Sequence, residues 1–149
     1  DGAWTATRDV ALAIMVADCL PVVLTNAAGS ELAVVHCGWR GLAAGVLEAA
    51  LDRFGMSDLR ACFGASIGPC HYEVGAEVAA RFADRPQVVR RRGGALYVDL
   101  FAEATQRLTA RGVRCGPRAA CTYCAPDLYS YRRDGVTGRQ AVMAWLRGA

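Results

Sequence analysis

Cys19 and His36 bracket a segment that reads as one β-hairpin, and a thiol brought to an imidazole supports two kinds of chemistry. The first run is Ala17-Asp-Cys-Leu-Pro-Val-Val-Leu-Thr25 and the second is Glu31-Leu-Ala-Val-Val-His36, joined by Asn26-Ala-Ala-Gly-Ser30. Two apolar, β-branched runs around a loop with Asn and Gly are a hairpin signal. A turn centred between Ala27 and Ala28 sets Leu24 opposite Glu31 and, further along the ladder, Cys19 opposite His36. Directly opposed antiparallel residues have Cβ atoms roughly 5 Å apart. At that spacing the pair can share a Zn²⁺ or Cu ion, or act as a Cys nucleophile with its His base. A buried Cys packed near a buried His, with no chemistry, fits the same pattern, because free Cys is among the most buried residue types. Pro21 cannot donate to a ladder, so a bulge there would shift the register.

Cys37-Gly-Trp-Arg40-Gly41 follows His36 directly and sets a cation beside the pair, at the head of a helix. An Arg fork binds phosphate or carboxylate, and a helix start favours anions. Tyr131-Arg132-Arg133-Asp134 is a second cation cluster. Read as part of a strand, it points its two Arg to opposite faces, so at most one faces the site. His71 follows Gly68-Pro69-Cys70 in a loop and reads as a surface His. Cys121-Thr-Tyr-Cys124 is a lone CxxC with no second pair at zinc-ribbon spacing.

The elements that position these residues follow from periodicity. Val10 to Val16 is a continuous apolar run, expected as a strand buried on both faces. Apolar positions from Gly41 to Phe54 recur at helical spacing, and Gly55 is placed to end that helix. Leu59 to Ala65 reads as a strand, Val74 to Phe82 as a helix, and Leu96 to Asp99 as a strand. Asp99 caps a helix that runs to about Ala110 and closes at Gly112. Tyr129 to Asp134 and Ala141 to Leu146 read as closing strands, and Arg90-Arg91-Arg92 as a solvated loop. Hairpins mixed with βα units argue for an α/β sandwich with a mixed sheet, and no Gly-rich dinucleotide motif follows a strand.

Composition narrows the classes. The 149 residues fit one domain, and at 54% hydrophobic and 21% charged they can bury a real core. No apolar run reaches the ~18 residues a membrane span needs. All 17 basic residues are Arg, and a net charge of +3 with few interleaved aromatics argues against nucleic acid as a partner. Seven scattered cysteines, with no signal peptide opening the chain, fit reduced thiols in a cytoplasmic protein better than a disulfide framework.

Several motifs together carry a resemblance. Ala17-Asp-Cys-Leu-Pro21, Val35-His-Cys-Gly-Trp-Arg-Gly41, Ile67-Gly-Pro69, Tyr72-Glu-Val-Gly75, and Cys121-Thr with Tyr129-Ser-Tyr-Arg-Arg-Asp134 resemble the YfiH-type laccase-domain family. It is also called the polyphenol oxidase or peptidoglycan-editing-factor family. The resemblance runs from residue 1 to about Leu146. It implies a layered α/β/β/α sandwich with mixed sheets, similar to that of deamidase toxins with a Cys–His site. It also implies a metal site of two His and one Cys. Cys19 and His36 match two of those ligands, and the third His is expected in a segment upstream of residue 1 that this chain lacks.

The family's activity has been described in three ways. One is copper-dependent polyphenol oxidation. Another is zinc-dependent phosphorolysis of purine nucleosides and methylthioadenosine, with adenosine deamination. The third is peptidoglycan editing, in which Cys19 and His36 would act as a hydrolase or amidase pair. A His₂Cys site with an open position is a zinc pattern. A multicopper cluster needs many more His than the two present here plus one upstream. The expectation is therefore a small-molecule enzyme acting on a purine nucleoside and phosphate. Cys19 and His36 would hold zinc, with copper as the alternative. Arg40 would bind phosphate or ribose, and Arg133 is a second candidate for that contact.

Overall fold

A computed structural model describes residues 1–55 and 58–148. The central sheet contains β1 (Gly2–Thr5), β3 (Leu20–Asn26), β4 (Leu32–Cys37), β5 (Leu59–Phe63) and β9 (Arg114–Cys115), in the order β1-β4-β3-β5-β9. β9 runs parallel to β5, and the other neighbours are antiparallel. A two-stranded ribbon pairs β2 (Leu12–Val16) with β10 (Gln140–Ala144), and a three-stranded sheet orders β6 (Glu73–Val74), β8 (Ala95–Val98) and β7 (Val89–Arg92). The helices are α1 (Trp39–Ala43), α2 (Val46–Leu51), α3 (Ala76–Ala79), α4 (Leu100–Ala110) and α5 (Tyr131–Asp134). This is the expected mixed α/β class with several sheets.

Strand alternation builds the core. Leu20, Val22 and Leu24 of β3 and Ala33, Val35 and Cys37 of β4 are buried, and they join one cluster with Leu42, Leu47, Leu100 and Leu108 of the helices. Each such Leu contributes about 1.5–3 kcal/mol by leaving water. Pro21 lies on the other face, toward the ribbon. A Cβ on Gly64 would sit 2.6 Å from Pro21 Cγ and 2.9 Å from Val142 Cγ2, so glycine permits the close approach of β10.

The hairpin register differs from the expected one. Thr25 pairs with Leu32, Pro21 with His36 and Leu20 with Cys37, a shift of two residues. The cause is the Asn26 side chain, which turns the chain later than a simple two-residue loop would. Asn26 Oδ1 accepts the Ser30 N–H at 2.9 Å and the Glu31 N–H at 3.3 Å, while Gly29 closes the turn at φ +63°. An even shift preserves the faces, so the core pattern survives, but Cys19 no longer opposes His36.

Four further expectations are corrected. β2 is exposed on one face rather than buried on both, with Met15 63% exposed. The helix expected over 41–54 is broken into α1 and α2 by Gly45 at φ +83°. The segment expected as a closing strand at 129–134 holds α5, because the Ser130 hydroxyl accepts the Arg133 N–H and caps a helical turn. Arg90–Arg92 belong to β7 rather than to a loop. The cap at Asp99 stands as expected, with its carboxylate accepting the Ala102 N–H at 3.0 Å.

Candidate metal and substrate site

Asp18 organises the region around Cys19. It is 8% exposed and sits at φ +89°, a left-handed conformation that Asp tolerates better than most residues. Oδ1 accepts the Thr122 hydroxyl at 2.6 Å, and Oδ2 accepts the Arg132 N–H at 2.7 Å. Its carbonyl accepts the Ile67 N–H at 2.9 Å. One residue thus ties the entry to β3 to the loops at 66–68, 122 and 130–133. The left-handed bend also turns Cys19 out of the regular strand.

The Cys19 sulfur lies over Gly38: a Cβ there would come within 3.1 Å of Sγ. Burial, aided by the Asp18 carboxylate and opposed by Arg139, pushes the Cys19 thiol up from its ordinary value. His36 opposes Pro21, and its Nδ1 lies 3.3 Å from the Asp1 carboxylate. Burial holds the His36 imidazolium down, so the ring favours its neutral, ligating form. Alone, then, the pair is a protonated thiol and a neutral imidazole offset along the hairpin. This suits metal ligation better than an unaided nucleophile, because a bound cation would draw off the thiol proton.

Tyr72 stands at the centre of the surrounding charges. Burial, then Cys19, pushes its hydroxyl up to about 12, while Arg132 and Arg40 act in the opposite sense. The Arg132 guanidinium is 5.2 Å from the Tyr72 ring, and Arg40 stacks 4.3 Å from the Trp39 ring centroid. Arg40 is exposed at the start of α1, as an anion contact requires. Arg133 is placed differently. Its Nη1 donates to the carbonyls of Thr122, Tyr123 and Ala125, Nη2 to Leu128 and Asp134, and Nε to Asp134. Its guanidinium is thus hydrogen-bonded to the 122–128 loop and to Asp134, which braces that loop.

A second donor cluster forms where sequence reading expected scattered thiols. The ligand atoms of Cys70, His71, Cys121 and Cys124 all lie within 4.8 Å of one another and could hold a metal ion. A cleft of about 580 Å³ opens beside it, lined by Arg90, Arg91, Arg92 and Arg118 among others. Two of its cations are already paired: Arg118 and Arg90 both contact the buried Asp99 carboxylate.

Comparison with known proteins places the chain in a family. Residues 1–147 match the family described as "Multi-copper polyphenol oxidoreductase laccase". The chain belongs to this family. Laccase-domain relatives include the purine nucleoside phosphorylase YfiH of Shigella flexneri, 42% identical over 98% of this chain and 63% of the relative. A Pseudomonas aeruginosa purine nucleoside phosphorylase is 40% identical over 99% of this chain and 65% of its own length. A crystal structure of a Neisseria meningitidis protein superposes with a TM-score of 0.89 at 36% identity, covering 99% of this chain and 65% of that one. The chain therefore spans less than two thirds of these relatives' lengths. Asp18, Tyr72 and Arg132, which surround Cys19, lie inside the motifs read from the sequence but were given no role there. Their signals were an Asp at a strand entry, a Tyr beside His71, and the neighbour of the Arg that was chosen.

Proposed function

We propose that Cys19 and His36 hold a zinc ion in a metal-dependent purine nucleoside phosphorylase, with a third His ligand outside residues 1–149. The observation that carries this reading is the placement of the two donors. The Cys19 sulfur beside Gly38 and the His36 imidazole at the same end of the β3–β4 hairpin offer one soft and one borderline ligand of the kind Zn²⁺ takes, while their two-residue offset weakens a direct Cys–His couple. The names of the relatives support the reaction class. When bound, the metal would supply Lewis acidity near neutral pH.

The chain's own residues take the remaining roles. Arg40 binds phosphate, and Arg132 adds positive charge at Tyr72. In phosphorolysis a phosphate oxygen forms a bond to ribose C1′. The glycosidic C–N bond breaks, and the purine nitrogen takes a proton. Tyr72, its hydroxyl pushed up to about 12 by burial, would donate a hydrogen bond to phosphate or ribose. Adenosine deamination and methylthioadenosine phosphorolysis would use the same residues. The family description favours copper-dependent phenol oxidation as the second reading.

The test is phosphate-dependent hypoxanthine release from inosine, before chelation, after chelation and after zinc is restored. Loss and recovery with zinc supports the proposal. Phenol oxidation restored by copper, with no purine release, favours the second reading.

A further inference from the structure

The Cys70-His71-Cys121-Cys124 cluster takes no part in the chemistry proposed above and stands independently of it. Its distances have a definite form. Cys70 Sγ lies 3.7 Å from Cys121 Sγ and 3.8 Å from Cys124 Sγ, and Cys124 Sγ lies 3.4 Å from His71 Nδ1. Zn–S bonds of ~2.3 Å and Zn–N bonds of ~2.0–2.1 Å in a tetrahedron give S···S edges of about 3.8 Å and S···N edges of about 3.6 Å. Three of the six ligand–ligand edges therefore match a zinc-sized tetrahedron, and the remaining three lie within 4.8 Å. A disulfide would require S–S near 2.05 Å instead.

The backbone is arranged for the same end. Two turns face each other: His71 and Tyr72 N–H donate to the Gly68 carbonyl, and Cys124 and Ala125 N–H donate to that of Cys121. Gly68 N–H donates to Cys121 Sγ at 3.1 Å, the kind of outer contact that orients and tunes a thiolate ligand. A Cβ on Gly68 would come 3.1 Å from Cys70 Sγ, so a larger residue there would press that thiol out of place by a few tenths of an ångström. The His71 ring is held by stacking on Tyr123, with centroids 4.0 Å apart and planes 12° apart. A parallel bridge between Ser66 and Cys121 aligns the two loops.

We infer that Cys70, His71, Cys121 and Cys124 form a closed Cys₃His site for a structural Zn²⁺, distinct from the Cys19–His36 centre. Three thiols give up protons when the ion binds, and four protein ligands leave it no open position for substrate. The ion joins the loop after β5 to the loop before α5. The first loop carries Tyr72, and the second carries Thr122 and leads into Arg132 of α5, so the zinc fixes the frame around Asp18 without touching substrate.

Two measurements test this. In the unaltered zinc-loaded protein, alkylation mapped by mass spectrometry should spare Cys70, Cys121 and Cys124 and label them once a chelator is added. In a Cys19→Ser/His36→Gln background, metal analysis should still find one zinc per chain, with three sulfur and one nitrogen neighbours by X-ray absorption. Adding Cys121→Ser/Cys124→Ser should remove that equivalent. Labelling unaffected by zinc, isolation of these cysteines as a disulfide, or a background protein without zinc would overturn the assignment. Should the background variant fail to fold, the labelling pattern of the unaltered protein decides.

Discussion

Replacing Asp18 by Ala gives a quantitative test of the frame around Cys19. The substitution removes the acceptor of the Thr122 hydroxyl at 2.6 Å and of the Arg132 N–H at 2.7 Å. Hydrogen bonds to a charged group are worth about 1.5–3 kcal/mol each, and a buried donor left unmade pays its full desolvation. Thr122 is fully buried, so its hydroxyl has no ready route to water. The φ of +89° also suits Ala less than Asp. Relaxation recovers part of the sum, so Asp18→Ala should cost about 3–5 kcal/mol, read as a lowered urea midpoint with unchanged slope. Asp18→Asn keeps one acceptor oxygen and should fall between Ala and the parent. In a double-mutant cycle with Thr122→Val, Asp18→Ala should show coupling of about 1–3 kcal/mol. A loss below about 1 kcal/mol for Asp18→Ala, or additivity in the cycle, would refute the idea that this carboxylate holds the loops.

Three more expectations concern single residues. Arg133→Lys should cost about 2–4 kcal/mol and speed amide exchange across 122–128, because an ammonium cannot replace a planar fork that meets four carbonyls and Asp134; unchanged exchange would contradict the bracing role. Without metal, Cys19 should be alkylated more slowly than the exposed Cys62 at pH 7–8, since burial and Asp18 raise its thiol; preferential labelling of Cys19 would revive the nucleophile reading. His36 has a folded pKa below the unfolded value near 6.5. As pH falls through that value, the unfolded chain takes the proton first and stability drops. His36→Gln should flatten this acid-side slope in metal-free protein, and an unchanged slope in a denaturation series would sink the argument.

Much of the fold was legible because strand alternation and helix punctuation are local. Leu20, Val22 and Leu24 announce β3, and Asp99 announces α4. The register was not legible, because it turned on one Asn26 side chain closing a longer loop. Gly45 broke a helix whose apolar spacing continued smoothly through it. Arg132 and Arg133 could not be separated without knowing that Ser130 starts a helical turn there, which sends one guanidinium toward Tyr72 and the other into the loop. The Cys70–Cys124 cluster was hidden by distance along the chain: a lone CxxC lacks its partners until the loop after β5 folds back on it. Cys70 next to His71 was the available signal, since two adjacent metal-type ligands in a Gly-Pro turn are themselves half of a site.

The most direct test of the nucleoside reading is inosine phosphorolysis by the protein stripped of metal and then titrated with zinc, run beside Cys19→Ser. The account predicts hypoxanthine release that needs phosphate, disappears on stripping, returns with zinc in the parent and does not return in Cys19→Ser. Full release by metal-free protein, or equal recovery in Cys19→Ser, would contradict it.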